Sequence, residues 1–145
     1  MDSVTPFLWI QHPVDEAVAY YREVFDDFEV ESPDPAIPTS ATVLIGGQRV
    51  HLFNAGPMEQ LTTAFSLMVL CETQQEIDRL WDGLGDGGSP IQCGWVTDRF
   101  GVTWQIVPRD LLTWLSDPER GQAVTQAMLQ MQKLEIGPLM AALHD

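Results

Sequence analysis

Two spacings of apolar residues divide the chain into elements. From Val4 to Ile10 β-branched and aromatic residues predominate, which predicts a strand. Pro13 then opens a helix over Val14–Phe25; proline suits the first turn because its missing N–H needs no intrahelical partner there. Ala17, Tyr20, Tyr21, Val24 and Phe28 recur at helical spacing and give this helix a buried face. Ser32 to Pro38 holds three prolines and predicts a loop or edge segment. Ala41–Ile45 and Arg49–Phe53 flank Gly46-Gly47, a hairpin signal because glycine tolerates the positive φ of a tight hairpin turn. Asn54–Pro57 closes the hairpin.

The pattern then begins again. Phe65–Cys71 is a strongly apolar strand. Thr73 followed by Glu76 fits a capping box, in which hydroxyl and carboxylate each satisfy an orphan N–H at a helix start. Ile77, Leu80, Trp81 and Leu84 follow on one helical face, and Gly85–Gly88 stops the helix. Ile91–Thr97 and Val102–Val107 predict two short strands joined by a turn at Asp98–Gly101. Strand–helix–strands thus occurs twice, before Pro57 and after Thr63, and one copy is too small to close a core alone. Beyond Pro108 the spacing turns helical. Leu111, Leu112, Trp114 and Leu115 form a short segment that Asp117-Pro118 breaks. Val124, Ala127, Met128 and Met131 make an amphipathic stripe, and Leu134–Leu143 is a last apolar segment interrupted by Gly137-Pro138.

Composition narrows the partners. With 45% hydrophobic and 19% charged residues, the 145-residue chain is not a disordered one. Its 21 Asp and Glu against 7 Lys and Arg give a formal charge of -14, which repels phosphate backbones and anionic headgroups. Neither nucleic acid nor a membrane is expected as a partner. The same charge favours a cationic ligand, and also serves solubility or a high-salt cytoplasm. Cys71 and Cys93 make neither a disulfide framework nor a zinc site, and read as reduced thiols. The start of the chain carries no basic, apolar leader, and Ala64–Cys71, the longest apolar-rich run, is too short to span a bilayer. A cytoplasmic protein is expected.

Several segments carry a resemblance. FLWI at Phe7–Ile10, Gly47-Gln48, NAGP at Asn54–Pro57, CETQ at Cys71–Gln74, QCGW at Gln92–Trp95 and DRFGVTWQIVP at Asp98–Pro108 resemble the PhnB-like proteins, as does AMLQM at Ala127–Met131. The stretch Gln92–Pro108 is the specific part. PhnB-like proteins belong to the vicinal-oxygen-chelate superfamily, with glyoxalase I, bleomycin-resistance proteins and extradiol dioxygenases. The resemblance implies an α+β fold: two βαβββ modules whose curled mixed and antiparallel sheets surround a cavity, followed by C-terminal helices. Residues 1–145 form one such domain, with modules at about 1–57 and 63–107 and a helical tail at 108–145. It also implies a homodimer, which the apolar tail stripe and the half-sized modules favour. Some PhnB-like sequences carry a demethylubiquinone methyltransferase label. Methyl transfer from S-adenosylmethionine usually needs a glycine-rich loop between strand and helix, whereas Gly83–Gly88 follows a helix and reads as a helix stop.

Metal enzymes of the superfamily place two His and one or two Glu on the inward faces of four strands. Matched by hand, those positions fall on Pro6 or Phe7, on or beside His51, on Ser66 and on Gln105. A hydroxyl and an amide are poor ligands for a divalent transition metal, so neither metal nor cofactor is expected. Polar handles in an apolar cavity remain. Alternation puts Thr103, Gln105 and Val107 on one face of the last strand and Val102, Trp104 and Ile106 on the other. Ser66 and Met68 face the cavity, with Phe65 and Leu67 in the core; His51 and Phe53 share a face. Trp95 is the candidate cavity liner, while Trp9, Trp81, Trp104 and Trp114 read as core. Asp98 and Arg99 organise their turn or serve a dimer contact, and His12 and His144 read as surface residues. The candidate ligand-binding set is therefore His51, Phe53, Ser66, Met68, Trp95, Thr103 and Gln105.

No nucleophile–base pair emerges from spacing, so whether the chain catalyses a reaction stays open. The leading expectation is metal-independent binding of a small organic molecule. One alternative is a bleomycin-resistance-type protein that sequesters a drug or metabolite. The other is a metal-dependent lyase, isomerase or oxidoreductase of glyoxalase or dioxygenase type.

Overall fold

The computed structural model describes residues 1–31 and 40–145, so the three-proline segment from Ser32 to Pro38 lies outside the described residues. The fold is α+β and comprises two compact units, Met1–Thr63 with Phe100–Val102, and Ala64–Arg99 with Thr103–Asp145. Each contains one four-stranded sheet.

The first unit runs β1 (Phe7–Trp9), α1 (Val14–Val24), β2 (Phe28–Val30), β3 (Ser40–Ile45) and β4 (Gln48–Phe53). Its sheet has the order β1-β4-β3-β2. β1 runs parallel to β4 and the other pairs are antiparallel. The β3–β4 hairpin turns on Gly46 and Gly47, with φ 56 and 82. Two consecutive positive φ values are what a tight two-residue hairpin asks for. α1 packs against β2 and β3. Leu8, Val43, Val50 and Leu52 share one sheet face by register and are buried, as are Val14, Ala17 and Tyr21 of α1. Phe100 joins this unit, its ring edge-on to Tyr21 and Tyr20.

Two expectations need correction here. β1 is shorter than Val4–Ile10, and Val4 is 83% exposed. Phe28 is not part of the helical face: Phe25 already has extended backbone, and Phe28 opens β2, paired with Ile45. Its helical spacing was coincidental, because β2 is too short to show a period of its own.

The second unit runs β5 (Leu67–Cys71), α2 (Gln74–Gly85), β6 (Ser89–Pro90), β7 (Trp95–Thr97) and β8 (Thr103–Pro108), then α3 (Leu111–Leu115), α4 (Gly121–Leu129) and α5 (Ile136–His144). The sheet order is β5-β8-β7-β6, with β5 parallel to β8. The threonine half of the capping box is present, while the glutamate reaches one residue further back, to the N–H before the cap. Glu76 N donates to Thr73 Oγ1 at 3.2 Å, and Glu76 Oε2 accepts from Glu72 N at 3.1 Å. α2 buries Ile77, Leu80 and Leu84 and packs on β7 and β8, where Val96, Trp104 and Ile106 are buried. Trp81 is only half-buried.

Ile91–Thr97 is not one strand. Ile91 N donates to Trp95 O across a tight turn in which Cys93 and Gly94 take φ 60 and 84. That turn also receives the tail: Cys93 N donates to Met131 O and Gly94 N to Gln132 O. Tail residues Leu111, Val124, Leu134 and Leu139 form a core with Val107 of β8. Gln74 at the start of α2 fastens the same stretch, donating to Leu134 O at 3.0 Å and accepting from Ile136 N at 2.7 Å. Lys133 Nζ lies 2.9 Å from Asp78 Oδ1. Gly137-Pro138 does not interrupt the last helix but sits in the first turn of α5, where a proline leaves no bond unmade. No helix among the described residues is long and apolar enough to cross a membrane.

Candidate functional site

Residues opposite one another in a paired sheet share a face. In the second unit Met68 of β5 faces Gln105 of β8, which faces Trp95 of β7. One step along β8, Thr103 faces Thr97. Ser66, just before β5, falls on the same face by alternation. Five of the seven sequence-predicted residues, Ser66, Met68, Trp95, Thr103 and Gln105, therefore lie together on the face opposite the one that α2 covers. Gln105 Nε2 donates to Ser66 Oγ at 2.8 Å, and the Thr97 and Thr103 hydroxyls are 2.9 Å apart. Ser66, Trp95 and Gln105 are half-buried, and Met68 is 40% exposed. Thr103 is buried, so it supports the pair without reaching solvent.

The other two residues belong to the first unit. His51 and Phe53 project from the same side of β4, away from its buried Val50 and Leu52. His51 Nδ1 lies 2.8 Å from Thr42 Oγ1, and its ring stacks on Phe7 at 5.0 Å. Phe53 stands 5.1 Å from Phe7 and 5.3 Å, edge-on, from Trp9. The face is aromatic with one imidazole. Arg49, two residues before His51, is bound to Glu31 by paired hydrogen bonds of 2.5 and 2.7 Å. That pairing holds the Glu31 carboxyl below its usual range.

Some expected neighbours are elsewhere. Phe65 is 47% exposed and precedes β5, and Leu67 is half-buried, so neither is a core residue. Trp104 is buried, its indole N–H donating to the buried Asp98 carboxylate at 2.8 Å, which makes Asp98 an organiser of its turn. Arg99 donates to Asp86 rather than standing ready for a ligand. Trp9 is half-buried, with its N–H on Gly56 O at 3.0 Å. Trp114 is half-buried against the tail core. Sequence reasoning missed Thr42 and Thr97. Both are found only from pairing register, which places them opposite His51 and Thr103.

The donor chemistry does not suit a superfamily metal. Among the described residues no three His, Cys, Asp or Glu side chains gather where they could hold an ion. Ser66 and Gln105 offer a hydroxyl and an amide, and divalent transition metals favour anionic or imidazole ligands at several positions. The glycine run closes α2: Gly88 N donates to Gly85 O at 3.0 Å and Gly87 has φ 76. It is a helix terminus rather than a strand-to-helix cradle. Cys71, on the helix-covered side of β5, is no nucleophile, because burial first and Glu76 second push its thiol up to about 12.

The 3-demethylubiquinone-9 3-methyltransferase family model matches residues 2–107. The chain belongs to this PhnB-like family. Its fold is that of the vicinal-oxygen-chelate superfamily, as the solved structures agree. A PhnB protein from Bacillus cereus bearing the same methyltransferase designation is 28% identical, with a TM-score of 0.64 over 74% of this chain and 99% of that one. A protein from Pseudomonas aeruginosa is 23% identical, with a TM-score of 0.59 over 73% of this chain and 96% of that one. The fosfomycin resistance protein FosX from Listeria monocytogenes, solved with Mn(II) and sulfate, is 14% identical with a TM-score of 0.52, covering 73% of this chain and 91% of that one. At that identity it shares the fold alone. Comparison with curated proteins gives no match. The PhnB-like match stops at residue 107, so the tail helices and the Ala127–Met131 motif lie beyond it.

Proposed function

We propose that this PhnB-like protein binds a small organic molecule, without a metal, on the sheet face that carries Ser66, Gln105, Met68 and Trp95. The observation that supports this most is the Ser66–Gln105 hydrogen bond on a face it shares with Met68, Trp95 and the Thr97–Thr103 hydroxyl pair. Ligand sites combine apolar walls with a few convergent polar groups. His51, Phe53 and Phe7 offer a second aromatic surface in the first unit, with the imidazole held at Nδ1 beside the Thr42 hydroxyl. The reading is one of binding; it assigns no reaction.

The test uses protein labelled with 13C at the methionine methyls. Titrating a library of neutral and charged metabolites should move the Met68 methyl, and Gln105→Ala should weaken the effect. If no compound moves Met68 at millimolar concentration, the reading fails. Elemental analysis of protein purified without chelators should find less than one tightly held transition metal per chain; a stoichiometric metal would favour the lyase or dioxygenase alternative.

We further propose a cytoplasmic homodimer. The free thiols of Cys71 and Cys93 suit a reducing compartment. Leu112 and Leu129 of the tail, 57% and 50% exposed, are apolar groups that a second copy would cover. Light scattering at micromolar concentration should give twice the chain mass.

A further inference from the structure

The Ser66–Gln105 pair leaves specific valences unused. A serine hydroxyl has one donor and two acceptor lone pairs, and a glutamine amide has two donors and a carbonyl oxygen. With Gln105 Nε2 donating to Ser66 Oγ, the serine proton, the second amide N–H and the amide oxygen are left over from that bond. Rotating the amide by half a turn, so that Ser66 donates to the carbonyl oxygen, leaves the amide N–H donors beside the serine lone pairs, and a donor and an acceptor again stand side by side. Either way the pair matches a ligand bearing an acceptor and a donor on adjacent atoms.

Among the described residues, the register neighbours of the pair carry no charge. Met68, Trp95, Thr97, Thr103 and Leu70 are its neighbours by register. Four of the chain's seven Lys and Arg side chains are held in ion pairs: Arg49 with Glu31, Arg99 with Asp86, Arg109 with Glu72, and Lys133 with Asp78. An anionic ligand seated here would lose hydration without meeting a cation, and a cationic one would meet no carboxylate on the face. Desolvating an unpaired charge costs far more than desolvating a paired amide. The overall charge of -14 draws cations only from a distance, and salt screens that pull beyond about 10 Å.

We infer that the ligand is a neutral molecule carrying a primary amide or an equivalent adjacent donor and acceptor, attached to an apolar ring or chain that rests on Met68 and Trp95. This rests on the binding site proposed above and adds the chemical class of its occupant.

Three probes of one shape separate the possibilities: benzamide, benzoate and benzylammonium. Each is titrated into the full chain at neutral pH and physiological salt, with the Met68 methyl and the Trp95 indole N–H followed by NMR. Benzamide should shift both and bind ~5- to 10-fold more tightly than either charged probe, the scale of one or two hydrogen bonds made without stranding a charge. Gln105→Leu should remove that advantage. Gln105→Glu, which keeps the side chain's shape, should reverse the preference toward benzylammonium, with circular dichroism confirming the fold of both variants. If benzoate or benzylammonium shifts these groups more strongly than benzamide in the unsubstituted protein, the neutral class is wrong while the site survives. If none of the three, nor any member of the metabolite library, moves Met68 or Trp95, site and class fail together.

Discussion

Cys71 and Cys93 differ in what surrounds them. Cys71 is 1% exposed and Cys93 sits half-exposed in the turn before β7. Iodoacetamide at pH 8 should alkylate Cys93 in the folded protein and leave Cys71 until denaturant is added; peptide mass mapping reads the difference. The raised thiol value also has a pH consequence. The folded value of about 12 lies above the ordinary 9.0, so the contribution is complete below pH 9 and lost as pH rises toward 12. Stability should therefore fall less steeply above pH 9 in Cys71→Ala than in the unsubstituted chain. Gly94 faces a harder constraint. Its φ is 84, and a Cβ there would come within 2.8 Å of Ile106 O and 3.0 Å of Leu134 Cγ. Gly94→Ala should cost about 2 kcal/mol or more, from left-handed backbone strain and the close contact together, measured by urea unfolding.

Among the elements, α2 was the most legible. Its threonine cap and apolar stripe are local signals and are realised, although the glutamate bonds Glu72 N in place of the cap N–H and Trp81 is only half-buried. Thr73→Ala should cost about 1 kcal/mol in thermal or chemical unfolding, as the loss of a side-chain cap does elsewhere. The Gly46-Gly47 hairpin was equally readable, because the glycines state the turn geometry themselves. β2 and β6 were not: three and two residues are too few for a period-2 pattern. The break at Cys93 was hidden because a non-glycine residue holds the positive φ. Within the site, alternation on β8 correctly set Gln105 opposite Trp104. It could not reveal that Phe65 stands outside the strand, or that Thr97 and Thr42 complete the hydroxyl contacts. Those depend on which strands become neighbours, which no single segment records.

At the scale of the whole molecule, charge and the tail stand out. With 21 acidic and 7 basic side chains, self-repulsion outweighs the surface ion pairs, which are individually weak. Raising NaCl from about 20 to about 150 mM should therefore raise the melting temperature, as the screening length falls to about 8 Å. A fall would mean the ion pairs dominate. The tail lies beyond the family match, yet its core includes Val107, two residues from Gln105 and on the same side of β8. The helices thus cover one end of the proposed binding face, an addition that the shared segment does not specify.

Lys133 carries the sole ε-amine of the chain, and its pairing with Asp78 links the segment before α5 to α2. An acylating reagent, or an acetyl-transferring enzyme, would find a single side-chain nitrogen to modify. Doing so would erase one of seven positive charges and release Asp78 beside the Gln74 anchor. Covalent traffic at one atom would then remove this link, leaving the Gln74 bonds and the buried tail core to hold the helical extension.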